Sequence, residues 1–221
     1  MACRALFVLS IACVSLAMPS LDGMASNNKP SPEVCTIYLV PIGSFSSPPL
    51  IELIAYYRQI YGVVMDVLAP VPVEAVAIDR GRRQLIAEEA VELVKQFYPD
   101  LAGDPSALFL GLTDHDMYIR GKNWRFAFAY RTQGRFAVVS TFRMNPVTFN
   151  RPPDMKLLRT RLRKMITKQL GLYYFGLPQR SDRHSALFGP IMGLDDLDSV
   201  DEEFDAVDWE RMKEATRTCS L

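Results

Sequence analysis

The chain has 221 residues, with 25 Lys and Arg balanced by 25 Asp and Glu and an apolar fraction of 49%. That length and apolar share are enough to bury one sizeable core, and they exclude a chain with a disordered or low-complexity half.

In chain order, Arg4 precedes an apolar run over residues 5–18, too short to span a bilayer as a stable helix, with small residues suited to cleavage at Gly23 and Ala25 or at Ser15 and Ala17. Residues 1–25 therefore read as a signal peptide, residues 26–221 as a single α/β domain, and the protein as exported, periplasmic or secreted, with no stable membrane span after cleavage. An uncleaved anchor and a lipoprotein signal around Cys13 are the alternatives, the second weakened by Ser10 where a lipobox wants leucine. Residues 26–33 are a polar leader. Cys3 and Cys13 leave with the signal, so the mature chain keeps Cys35 and Cys219 at its two ends. In an oxidising compartment they are expected to form a terminal disulfide; two unpaired thiols is the competing reading.

Residues 36–43 are predicted to form a strand, 49–61 a helix with its stripe at Leu50, Leu53, Ile54 and Tyr57, and 63–71 a second strand. A second helix is predicted over 84–98, stopped by Pro99 and Asp100. The continuously apolar run 107–112 reads as a buried parallel strand. Residues 125–131 alternate, with Phe126, Phe128 and Tyr130 on one face, and are placed at or near an edge; 136–142 returns to the interior. This order implies right-handed crossovers and a mixed, mostly parallel twisted sheet of about five strands with flanking helices. A long helix is predicted over 155–175, with Leu158, Leu162, Met165, Ile166, Gln169, Leu172 and Tyr173 on one stripe. Gln169 and Tyr173 should then point inward one turn apart, the Tyr173 hydroxyl being a candidate hydrogen-bond partner for the Gln169 amide.

Three stretches carry a resemblance: Gly111-Leu-Thr-Asp-His-Asp-Met-Tyr118, Asn123-Trp-Arg-Phe-Ala-Phe128 and Arg135-Phe-Ala-Val-Val-Ser140. They look like the corresponding segments of the archaemetzincins, a metzincin-like family of zinc peptidases. The resemblance implies a metal-binding helix with the motif HExxHxxGxxH, whose three histidines hold zinc while the glutamate acts on the bound water. Here the stretch reads Gln169-Leu-Gly-Leu-Tyr173-Tyr-Phe-Gly176-Leu-Pro-Gln179. Anchored on Gly176, the motif puts Gln169, Tyr173 and Gln179 at the ligand positions and Leu170 at the base position. A neutral amide is a poor zinc ligand and leucine cannot take a proton. The chain has two histidines, His115 and His184, neither at a motif position. The family's structural zinc site has no counterpart either, because no cysteine lies between Cys35 and Cys219. Gly189-Pro-Ile-Met192-Gly193 is a candidate methionine turn, at a longer spacing from Gln179 than the family uses.

Other constellations compete. Asp182, His184 and Ser185 have the residue types of a hydrolytic triad, and His115, Asp182 and His184 could form a rearranged metal site. Asp195, Asp196 and Asp198 could chelate calcium but lack an EF-hand pattern; they read better as a solvated approach to a last helix capped by Ser199 and Glu202. Residues 120–168 hold thirteen Lys and Arg against Asp154 alone, whereas 195–214 holds ten Asp and Glu against Arg211 and Lys213. The acidic segment is expected to pack near the basic one, which, with export, argues against nucleic acid as a partner. The resulting expectation is an inactive archaemetzincin-like protein that needs no cofactor and binds an unidentified protein or peptide, or serves structurally. The alternatives are a zinc-dependent peptidase or hydrolase with substitute ligands, and a polyanion-binding module.

Overall fold

A computed structural model describes residues 35–45, 49–132 and 134–215. Residues 1–25, expected to be a signal peptide, and Cys219 lie outside the described residues. Among the described residues no helix is long and apolar enough to cross a membrane.

The expected fold is present. Strand β1 (Thr36–Ile42) leads through helix α1 (Leu50–Tyr61) to β2 (Val64–Val67), and a short hairpin, β3 (Ile78–Asp79) and β4 (Gln84–Ile86), precedes helices α2 (Ala87–Phe97) and α3 (Pro99–Gly103). Next come β5 (Ala107–Thr113), β6 (Met117–Tyr118), β7 (Ala129–Arg131) and β8 (Phe136–Ser140). Helix α4 (Met155–Gln169) runs into a π-helical turn, Leu170–Tyr174, and two short helices follow, α5 (Leu194–Ser199) and α6 (Ala206–Glu214). The main sheet has the order β2-β1-β5-β8-β7, parallel except where β7 returns antiparallel along β8 at the edge. A second sheet has the order β3-β4-β6.

Strand alternation divides the core into two layers, because successive side chains point to opposite faces. Ile37, Leu39, Leu108, Leu110, Leu112, Ala137 and Val139 meet α1, α4 and the C-terminal segment on one face. Val40, Ile42, Phe109, Phe136 and Val138 meet α2 on the other. Two covered faces explain the continuously apolar β5, buried at every position.

Several expected boundaries move. Residues 84–86 pair as β4 instead of opening a helix, because the Gln84 amide donates to Asp116 Oδ2 at 2.9 Å and to the Arg125 carbonyl at 3.0 Å, both distant in sequence. The last helix is not capped by Ser199 and Glu202. Ser199 ends α5, its hydroxyl bonded back to the Asp196 carbonyl at 2.8 Å, and Glu202 pairs with Arg163. Asp205 caps α6 instead, accepting from the Asp208 amide at 2.8 Å.

The basic and acidic stretches do pack together. Arg161, 4% exposed, makes a two-pronged contact with Asp198 at 2.7 and 2.6 Å and donates to the Met144 carbonyl at 2.8 Å. Lys164 Nζ reaches the Asp198 carbonyl at 2.8 Å, and Arg180 pairs with the fully buried Asp208. The Arg161 and Lys164 contacts fasten α5 onto α4, and the Arg180 pair ties the chain after Gly176 to α6.

Candidate functional site

The face of α4 that carries Met165, Lys168 and Gln169, extended by Leu172 from the π-helical turn, looks across at segment 123–131, which ends in edge strand β7. Gln179 and the loop Pro190–Ile191–Met192 close the end, leaving a cleft of about 670 Å³. That lies within the roughly 300–1,000 Å³ typical of small-ligand sites. Among the described residues, three cationic side chains, Arg125, Arg131 and Lys168, line it, and no Asp or Glu does.

Lys168 is 8% exposed and donates to the Phe188 carbonyl. Burial, reinforced by the like charge of Arg131, lowers its pKa to about 8. The ammonium therefore remains mainly charged at neutral pH. Gln169 is 5% exposed, borders the cleft, and has no hydrogen-bond partner for its amide among the described residues. Gln179 Nε2 donates to the Gly189 carbonyl at 3.0 Å. A Cβ added to Gly189 would come within 2.8 Å of both Lys168 Nζ and Gln179 Cδ, so ammonium and amide converge on the same stretch of backbone.

Of the expected cleft residues, Gln169, Gln179 and Met192 line the cavity, while Leu170 and Tyr173 do not. Both pack in the core beneath it. Tyr173 is 2% exposed, its hydroxyl finds no hydrogen-bond partner among the described residues, and burial pushes its pKa up. The expected bond between Tyr173 and Gln169 is therefore absent. The physical reason is the π-helical turn, where the Phe175 amide donates to the Leu170 carbonyl five residues back, at 2.9 Å. Such a turn inserts one residue relative to an α-helix. Counting back from Gly176 through a regular helix lands on Tyr173 and Gln169, whereas the helix presents Leu172 and Lys168, one α-turn apart, to the cleft. Gly176 itself has φ +63°, the left-handed conformation that a bend here requires. Met192 stands half-exposed at the cleft border, its amide held at 2.9 Å by Asp196 Oδ2 rather than tucked beneath the floor.

The competing constellations do not assemble. Asp182 Oδ1 accepts from the His184 amide at 3.0 Å, and the Ser185 hydroxyl accepts from the Leu187 amide at 3.1 Å, both local turn contacts. His115 sits at the end of β5 beside Thr113, Asp114 and Gly43. Asp196 is taken up by Arg183 and the Met192 amide, and Asp198 by Arg161. Among the described residues no group of three or more His, Cys, Asp and Glu is placed to hold a metal ion.

No protein-family model matches the chain. An archaemetzincin of Pyrococcus furiosus is 32% identical over 149 residues, covering 64% of this chain and 73% of that protein. A zinc-dependent peptidase of Methanocorpusculum labreanum shares the fold with a TM-score of 0.66 at 18% identity, over 80% of this chain and 99% of that one. An archaemetzincin of Archaeoglobus fulgidus, crystallised with malonate, superposes with a TM-score of 0.62 at 22% identity over the same shares. With the fold shared and a third of the residues identical across most of a relative, this chain belongs to the archaemetzincin family.

Proposed function

We propose that the chain is an exported, metal-free archaemetzincin whose cleft binds a ligand without hydrolysing peptides. The observation that carries this reading is the Lys168 ammonium lodged in the cleft beside two amides. Through the π-helical turn, Lys168, Leu172 and Gln179 take the three facing positions, with Gln169 next to Lys168. A zinc site needs imidazole, thiolate or carboxylate donors; here one position is a hydrocarbon, one a neutral amide, and one a charged group that repels a cation. The donor set does not fit zinc, and among the described residues no carboxylate lines the cleft to serve as general base.

In this reading residues 1–25 direct export, residues 26–221 form one domain, and Cys35 pairs with Cys219. A polyanion surface is disfavoured, because Arg161, Arg163 and Lys164 of the basic helix are engaged by Asp198 and Glu202. The rival is a zinc-dependent hydrolase with substitute ligands. Incubating the full chain with a mixed peptide library and added zinc should leave the peptides intact. Cleavage that a chelator stops, and that Gln179→Ala abolishes, would overturn the proposal.

A further inference from the structure

We infer that the cleft binds the carboxylate of a ligand with an apolar body, held by the Lys168 ammonium and the Gln169 and Gln179 amides. This inference rests on the metal-free reading above. A carboxylate is a pure acceptor and requires donors. Lys168 has three N–H bonds and uses one on Phe188; Gln179 uses one of its two on Gly189; Gln169 uses none among the described residues. Gln169 is the more telling group, because its amide borders the cavity with both N–H bonds uncommitted among the described residues, so an acceptor in the cleft would meet donors that no protein group occupies.

Charge points the same way. Lys168, Arg125 and Arg131 face the cavity without a compensating carboxylate among the described residues of its walls, so an entering anion meets a favourable field. One buried ammonium, with the arginines exposed at the border, matches a monoanion better than a phosphate dianion. The rest of the lining, including Trp124, Phe128, Met165, Leu172 and Ile191, suits a hydrocarbon body. A free aliphatic acid and the C-terminus of an apolar peptide share this chemistry.

Trp124 lies in the lining, so its fluorescence, backed by calorimetry, reads occupancy in the full chain. The probes are octanoate, octanamide, acetyl-trileucine with a free or amidated C-terminus, and inorganic phosphate. At least one acid should bind about tenfold or more tightly than its amide, as expected for a hydrogen-bonded charge. Which acid binds identifies the source as a free fatty-type acid or a peptide terminus. Lys168→Gln should erase the acid preference, Gln169→Leu should weaken acid binding several-fold, and Arg131→Gln, at an exposed position, extends the test should Lys168→Gln fail to fold. Equal affinity for acid and amide, phosphate binding as tight as the acids, or an acid preference unchanged in every folded variant would overturn the inference. Zinc content is measured on the same sample. Stoichiometric zinc would overturn the metal-free reading itself, whereas zinc-free protein that ignores both acids would overturn this inference alone.

Discussion

Replacing Asp198 with Asn should destabilise the protein by about 2 kcal/mol. The Arg161 guanidinium is 4% exposed and spends two of its N–H groups on Asp198, at 2.7 and 2.6 Å, and a third on the Met144 carbonyl. Asparagine keeps the size but removes the charge and turns one acceptor into a donor facing a donor. Stripping one partner from a fully buried pair costs about 3–5 kcal/mol. The Asp198 side chain is 43% exposed, so water restores part of that loss and the smaller figure applies. In urea, with a slope of about 2 kcal/mol/M, the midpoint should fall by about 1 M at unchanged slope. Arg161→Met combined with Asp198→Asn should cost less than the two single changes added, since removing both partners leaves no orphaned charge. A loss below about 0.5 kcal/mol, the range of ordinary surface changes, would refute the claim that this pair fastens the C-terminal segment to α4.

Lys168 gives a pH signature. Its folded pKa lies near 8 against 10.5 for the free side chain, so between those values the unfolded chain binds a proton that the folded chain has released. Stability should therefore rise with pH across that window, by at most about 3 kcal/mol relative to Lys168→Met; a flat difference would show that the ammonium is not desolvated. At Gly171 an added Cβ would lie 2.3 Å from Leu187 and 3.0 Å from Phe204, so Gly171→Ala should cost about 1–3 kcal/mol in thermal or urea unfolding. A neutral result would show that the π-helical turn can move away from those residues. Under the export proposed above, alkylation of residues 26–221 without reductant, followed by intact mass, should find Cys35 and Cys219 unmodified; two added alkyl groups would exclude the disulfide.

The mostly parallel five-stranded sheet with flanking helices was legible because burial on two faces writes itself into β1, β5 and β8 as apolar runs, and into α4 as a stripe; the strand order was not. The short β4 was not legible, since Gln84-Leu-Ile86 owes its strand form to Asp116 and Arg125, more than thirty residues away. The cleft was half legible. Gln169 and Gln179 both line the cavity, but a regular 3.6-residue count cannot register the one extra residue of the π-helical turn, which gives the facing positions to Lys168 and Leu172. Tyr173 was therefore placed in the cleft, and Lys168 was read only as part of a basic helix. No periodicity marks such a turn in advance. The nearest signal is Gly171, whose missing side chain lets Leu187 and Phe204 approach the widened backbone.

Zinc stoichiometry tests the central claim most directly. The full chain, purified without chelator, incubated with excess zinc and desalted, is assayed for bound metal by mass spectrometry. The account expects far less than one zinc per chain, with no further loss in Gln169→Ala or Gln179→Ala. One tightly held zinc per chain, lost on substituting Gln179, would contradict it and restore the cleft as a metal centre.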